Sequence, residues 1–354
     1  MLRTIQGMIV VFLLCGILQA QNESIVVNGE TRTFITHAPS ETSSLALVIS
    51  MHGLSGTGAQ QRSMSGFDKI ADREKFVVVY PDGSDNRWDI SGTTDVDFIL
   101  AIIDTMAARY AIDRNRVYAT GFSMGGMMSY KLACSAADRF AAIGPASGYL
   151  FGGARGCTPS RPMPILHIHG SVDTVVDYSG LASYIDGWVE KNGCSATAEI
   201  TKPYPESKPG SKVTKEYYGQ GEQGSEVIVL TVEGMGHAYP GSFGSQDINA
   251  SEEFWAFFKK HVAGQSGING RRSSLSITQP VSARYQGGMV AIRSGAPLQS
   301  VLLCDLQGKV VHSWRTGTAP VHTLSLQVSG VARGMYTLRI TDSRHETLLR
   351  VAVP

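Results

Sequence analysis

The apolar positions of this chain fall into two patterns. In the first, short β-rich runs recur at 45–51 (LALVISM), 76–80 (FVVVY), 116–120 (RVYAT), 140–147 (FAAIGPAS), 164–169 (PILHIH) and 226–232 (EVIVLTV). Runs that are apolar throughout belong to strands buried on both faces, as in parallel sheets. Between them, residues 95–110, 181–193 and 251–261 carry apolar side chains at helical spacing, and the second ends in Asn192-Gly193, a helix stop. The alternation predicts a mostly parallel sheet covered by helices. Ahead of it, residues 24–38 read as a hairpin turning at Asn28-Gly29.

The second pattern begins near residue 276. Short alternating strands are expected at 289–294, 300–306, 309–314, 322–328 and 335–342, separated by turn residues. This is the pattern of a small all-β sandwich. The segment 264–274 (GQSGINGRRSS) is rich in Gly, Ser and charge and reads as a linker. The expected organisation is a leader at 1–20, an α/β unit at 21–263, a linker at 264–275 and a β-sandwich at 276–354.

Charge sharpens this division. The chain has 354 residues and a net charge of +1, but residues 271–354 carry +7 and the rest −6. A basic tail on an acidic body suggests two units with different partners. Hydrophobic residues at 43% and charged residues at 17% suit a globular protein and argue against disorder. The opening MLRTIQGMIVVFLLCGILQA joins a basic start to an apolar stretch too short to span a bilayer comfortably, and reads as a secretory signal cleaved after Ala20. No later segment is long and apolar enough to cross a membrane as a helix. The mature protein is therefore expected to be secreted or attached to the cell surface. Of the four later cysteines, Cys134 and Cys157 flank a single expected strand and are the first candidates for a disulfide. The cysteines show no zinc spacing, and no metal, cofactor or nucleic acid is expected.

Candidate chemistry lies in the loops that follow the strands. Gly121-Phe122-Ser123-Met124-Gly125 stands between an apolar strand and a helix expected to begin near Gly125. That is the setting of a nucleophile elbow, where the tight turn leaves no room for side chains at the flanking glycines. A serine hydroxyl needs a base to take its proton, and the base needs an orienting carboxylate. Asp173 follows the strand at 164–169, and His237 follows the strand at 226–232, giving the order Ser, Asp, His. Asp177 is the rival to Asp173, which sits nearer its strand end. Oxyanion donors are expected from the N–H of Met124 and from the N–H of Leu54 in the loop ISMHGLSGTG (49–58). His52, His167 and His169 read as structural, Met127 and Met128 as core, and Asp95 and Asp97 as helix caps. Trp88, in an expected loop, is a candidate for stacking on a sugar or an aromatic acid.

HG at 52–53, GFSMGG at 121–126, HIHGSVDTVVDY at 167–178 and GMGHAYPG at 234–241 resemble one group of secreted esterases. This group holds the polyhydroxybutyrate depolymerase-like proteins and the feruloyl and acetylxylan esterases of carbohydrate esterase family 1. The resemblance covers residues 24–262. It implies an α/β-hydrolase fold and ester hydrolysis through an acyl-enzyme, with Ser123 as nucleophile, His237 as general base and Asp173 as its orienter. The implied substrates are feruloyl or acetyl esters of plant cell-wall xylan, with a polyhydroxybutyrate-type polyester as the alternative. The group often has Trp where Tyr239 stands, which makes Tyr239 a candidate substrate contact. It also often has a cysteine near residue 219, whose absence leaves Cys194 unpaired. In the tail, SVLLCDLQGKVVHSW followed by GVARGMYTLRI resembles the sorting domains of type IX secretion. That implies contact with secretion machinery or the cell surface through 276–354. A carbohydrate-binding module is the rival for the tail, and a non-catalytic carbohydrate-binding protein is the rival for the whole chain.

Overall fold

The computed structural model describes residues 21–39, 44–263, 282–286, 289–305, 309–315, 321–328, 331–342 and 346–353. The expected leader (1–20) and linker (264–275) lie outside the described residues. Two compact units result, Met1–Asn269 and Gly270–Pro354.

The first unit is an α/β-hydrolase fold. Among the described residues its ten strands are β1 (Gln21–Val27), β2 (Glu30–His37), β3 (Leu45–Met51), β4 (Phe76–Pro81), β5 (Ile112–Phe122), β6 (Ala142–Ala146), β7 (Ile165–Gly170), β8 (Glu199–Thr201), β9 (Val213–Tyr218) and β10 (Val227–Val232). They form one sheet in the order β1-β2-β4-β3-β5-β6-β7-β10-β9-β8. The six central strands, β4 to β10, are parallel, and antiparallel hairpins close both edges. The first hairpin turns at Asn28 (φ 52°) and Gly29 (φ 87°), the paired left-handed conformation that an Asn-Gly turn supplies.

Among the described residues, six helices cover the sheet: α1 (Gly58–Ser65), α2 (Phe67–Glu74), α3 (Thr94–Arg109), α4 (Met124–Ser135), α5 (Leu181–Lys191) and α6 (Ala250–Phe258). Because strand side chains alternate between faces, a strand apolar at every position fills two cores. On β3, Leu45, Leu47, Ile49 and Met51 pack with residues of α3, α4 and α5. Ala46 and Val48 pack with residues of α2 and α6 on the other face. There Trp255 of α6 stacks on Phe76 at 4.0 Å, and Phe258 stacks on Tyr118 at 4.8 Å. The expected disulfide is present, with Cys134 bonded to Cys157 across 23 residues. Closing a loop of that length restricts the unfolded chain by about 3 kcal/mol. Cys194 is a free thiol, and burial pushes its pKa up to about 11.

Asp95 is not a helix cap, contrary to the expectation from sequence. Thr93 occupies the cap position of α3, and Asp95, one residue inside the helix, is buried and paired with Arg32 at 2.5 Å. The Arg32 guanidinium lies 4.0 Å above the Phe98 ring.

The second unit is antiparallel. It contains β11 (Ser282–Gln286), β12 (Met289–Cys304), β13 (Val310–Arg315), β14 (Val321–Gln327), β15 (Gly334–Asp342) and β16 (Glu346–Val353). The two strands expected at 289–294 and 300–306 are one, β12. Its first half pairs with β11 and β14, and its second half with β13 and β15. Pro297, which cannot donate to a ladder, falls where the register with β14 shifts. Both halves share a core that includes Val290, Ile292, Val301, Leu303 and Leu338.

Candidate active site

β5 runs directly into α4 through Ser123, whose φ of 55° and ψ of −116° are strained for a residue with a side chain. The glycines around it are sterically required. A Cβ on Gly121 would lie 2.5 Å from the Gly125 carbonyl carbon, and one on Gly125 would lie 2.1 Å from the Met51 carbonyl oxygen. A Cβ on Gly148 would lie 2.0 Å from the Ser123 carbonyl oxygen. The Ser123 N–H donates to the Ala146 carbonyl at 2.8 Å, which ties the turn to β6.

Asp173 and His237 come together from the loops after β7 and β10, two parallel neighbours in register. The His237 Nδ1 lies 2.7 Å from the Asp173 Oδ2. Asp173 is 2% exposed, and its Oδ1 accepts from the N–H groups of Val175 and Val176 at 2.9 and 3.0 Å. Since a carboxylate only accepts, Nδ1 carries the hydrogen of a neutral His237 and Nε2 is left free to take a proton. Asp177 does different work: its carboxylate accepts from the N–H and hydroxyl of Ser179. The Phe122 ring, one residue before the serine, packs 4.8 Å from the His237 ring, which ties the histidine to the elbow.

The loop after β3 lies against the same turn. A Cβ on Gly53 would lie 3.4 Å from the Ser123 Cβ. His52 beneath this loop is buried. Its Nε2 accepts from the Gly83 N–H at 3.0 Å, so its Nδ1 donates to the Gly53 carbonyl at 2.7 Å. Burial lowers its pKa, consistent with that neutral form. Ser55 N–H donates to the Asn86 carbonyl at 2.7 Å, and Gly56 N–H donates to the Gly53 carbonyl at 3.0 Å. Among the described residues, neither the Leu54 nor the Met124 N–H donates to a protein acceptor.

Two candidates from the sequence are corrected. Trp88 is 2% exposed, donates its indole N–H to the His52 carbonyl at 2.7 Å and packs on the His52 ring at 4.7 Å. It braces the loop and is closed to a stacking ligand. Tyr239 is 1% exposed, and its hydroxyl donates to Ser251 Oγ, whose own hydrogen goes to the Ser65 carbonyl. It supports Phe122 edge-on at 6.1 Å from behind. The accessible apolar groups are ones the sequence did not single out as substrate contacts. Leu54 is 64% exposed and Phe243 44%, and both line a cleft of about 430 Å³ with Phe122, Met64, Gln60 and Ser242.

A family profile described as Esterase PHB depolymerase matches residues 35–201. The chain is 31% identical over 202 residues to the probable feruloyl esterase C of Aspergillus terreus, covering 54% of this chain and 72% of that one. It is 33% identical over 264 residues to a bifunctional acetylxylan esterase/xylanase of Neocallimastix patriciarum, covering 73% of this chain but 36% of that protein. The chain thus spans about a third of that larger relative. A solved acetyl xylan esterase from Aspergillus awamori superposes with a TM-score of 0.54 at 19% identity, over 68% of this chain and 99% of that one. This likeness shows the α/β-hydrolase fold. The sequence matches carry the assignment: the chain belongs to the esterase PHB depolymerase family, among relatives named acetylxylan and feruloyl esterases.

Proposed function

We propose that the chain is a serine carboxylic-ester hydrolase acting on acetyl or feruloyl esters of plant cell-wall polysaccharide. The observation that carries this reading is the buried Asp173 carboxylate on His237, joined through Phe122 to a serine in strained conformation at a strand end. In the proposed reaction the Ser123 oxygen attacks the ester carbonyl while His237 Nε2 takes its proton. The Leu54 and Met124 N–H groups receive the oxyanion, and losing one such donor costs about 3–4 kcal/mol of barrier. His237 then gives the proton to the departing alkoxide, leaving an acyl group on Ser123. Water, deprotonated by His237, releases the acid.

The names of the relatives support the cell-wall substrate, and a cleft of about 430 Å³ beside the elbow is of a size that holds small ligands. A polyester substrate is the second reading, favoured by the description of the family profile. We further infer that the protein is exported and that residues 276–354 engage the cell surface or the export machinery, supported by the +7 charge beyond residue 270.

The test is product release by the full chain from acetylated xylan, feruloylated arabinoxylan and polyhydroxybutyrate, with Ser123→Ala as the blank. Acetate or ferulate release that falls by about 10⁶-fold in the variant is expected. Hydroxybutyrate release alone selects the polyester, and release that survives the substitution overturns the serine mechanism. Fractionating cells that express the full chain tests the location, and activity held inside the cell would overturn it.

A further inference from the structure

Behind the candidate acid lies a buried line of polar side chains that the proposed reaction does not use. His167 and His169 are two residues apart on β7 and so share a face. Their rings stack at 5.2 Å, and both are fully buried. The Tyr130 hydroxyl lies 3.1 Å from His167 Nδ1, His167 Nε2 lies 2.9 Å from His169 Nδ1, and His169 Nε2 lies 2.9 Å from the Val176 carbonyl. His169 Nε2 is also 3.4 Å from Asp173 Oδ2.

The far end of this line fixes the direction of every hydrogen in it. A carbonyl oxygen can only accept, so His169 Nε2 carries hydrogen. In a neutral ring its Nδ1 is then bare and accepts from His167 Nε2. The His167 Nδ1 is bare in turn and accepts from Tyr130. Burial lowers the pKa of both histidines, and among the described residues no carboxylate acts on His167. The groups facing His169 are Asp173, Asp177, His167, His237, Tyr149 and Tyr178.

We propose that Tyr130, His167 and His169 form a directed hydrogen-bond chain that holds the 173–176 loop in place, with His169 as the positioning residue for Asp173. The inference rests on the serine-hydrolase reading above. Tyr130 lies seven residues beyond Ser123, two turns along the helix that the elbow begins. His169 grips the carbonyl of Val176, whose own N–H holds Asp173 Oδ1. The chain therefore links the nucleophile's helix to the acid's loop by a route that bypasses His237.

The test is hydrolysis of p-nitrophenyl acetate by the full chain and its His169→Phe, His169→Gln, Tyr130→Phe, Ser123→Ala and Asp173→Asn variants. His169→Phe removes the terminal donor, and kcat is expected to fall about 10²-fold, the scale of a small misplacement of a reacting group, with KM little changed. The acidic limb of its pH–rate profile is expected to move to lower pH, because a displaced carboxylate stabilises the His237 imidazolium less. His169→Gln, which can keep an N–H there, is expected to recover most of the rate. Tyr130→Phe removes only the donor to His167 Nδ1, and the His167 Nε2–H tautomer, fixed from the Val176 end, is expected to persist in ¹⁵N spectra of the imidazole. A His169→Phe enzyme with native kcat and pH profile overturns the proposal, as does a His169→Gln enzyme no better than His169→Phe. Should His169→Phe fail to fold, the ¹⁵N spectra decide: a His167 that carries its hydrogen on Nδ1, in the parent chain or in Tyr130→Phe, overturns it. Activity that survives Ser123→Ala and Asp173→Asn overturns the serine-hydrolase reading instead.

Discussion

The elbow and the acid loop meet at one site but are held there by different means. At Ser123 the constraint is backbone against backbone, and Gly121 and Gly125 are required because a Cβ would lie 2.7 and 2.1 Å from the Met51 carbonyl oxygen. Around Asp173 it is mostly side-chain and N–H hydrogen bonding, from Val175, Val176 and His237 to its carboxylate and from His169 to the Val176 carbonyl beside it. One close approach of the first kind also occurs there: a Cβ on Gly170 would lie 2.2 Å from the Met235 carbonyl oxygen. Ser123, the proposed nucleophile, is thus fixed by shape, which tolerates no added atom. The carboxylate is fixed by a hydrogen-bond pattern, which tolerates volume changes but no lost partner.

The largest expected effect breaks the polar side of this comparison. Asp173→Asn keeps the shape but puts an amide where His237 needs an acceptor for Nδ1–H, and a triad carboxamide of this kind costs about 10⁴-fold in kcat. Asp177→Asn disturbs only the Ser179 turn and is expected to leave the rate within about twofold, in line with the ±0.5 kcal/mol typical of surface changes. Steady-state kinetics of the two variants decide it. Equal losses would mean that Asp177 shares the acid's role.

The next effect tests the shape side. Gly125→Ala forces a methyl against the Met51 carbonyl, a backbone atom that cannot step aside, and is expected to cost about 1–3 kcal/mol of stability or more together with most of the activity. Gly236→Ala, in the loop of the base, meets nothing nearer than the Val172 carbonyl at 4.0 Å. It is expected to stay near the parent in melting temperature and kcat. A Gly125→Ala protein with native activity would show that the elbow is looser than its contacts imply.

The same contrast governs what could be read from the sequence. The strained turn at Ser123 and the Asp173–His237 contact were legible because each residue sits in a short loop just after an apolar strand, where chain order alone narrows the choice. Cys134–Cys157 followed from the same local reasoning. Trp88 and Tyr239 were misread because exposure is a tertiary property. The loop before Trp88 looks open, yet the indole folds back onto the His52 carbonyl. Helices α1 and α2 were missed because GAQQRSMS and FDKIADRE are short and polar on average. A local signal for α1 was present: Thr57 and Gln60 form a reciprocal capping box. Strands β8 and β9 border the sheet and are half-exposed, so they lack the apolar run that marked the central strands. The cleft wall, drawn from α1 and from residues 242–243, joins segments that no sequence period connects.

The smallest effect separates the two modes of support by pH. Burial lowers the pKa of His52, His167 and His169 below the ordinary value near 6.5. Between their folded and unfolded pKa values, the unfolded chain binds protons that the folded chain refuses. Stability therefore falls as pH drops below about 6.5, by at most about 1.4 kcal/mol per pH unit for each histidine. Among the described residues Glu253 runs the other way, since burial raises its pKa and favours the folded state as pH falls, one group against three. The lowered carboxylates, such as Asp104 beside Arg114, act only in the more acidic range below about 4. Melting temperature between pH 7 and pH 5 is thus governed by the histidines. His167→Gln, at the fully buried position whose pKa is lowered well below the ordinary value, is expected to flatten that slope by close to one proton. Gly236→Ala, which touches only shape, is expected to leave the slope unchanged. If His167→Gln kept the full slope, His167 would not be the neutral, proton-refusing link that the directed chain from Tyr130 to the acid loop requires.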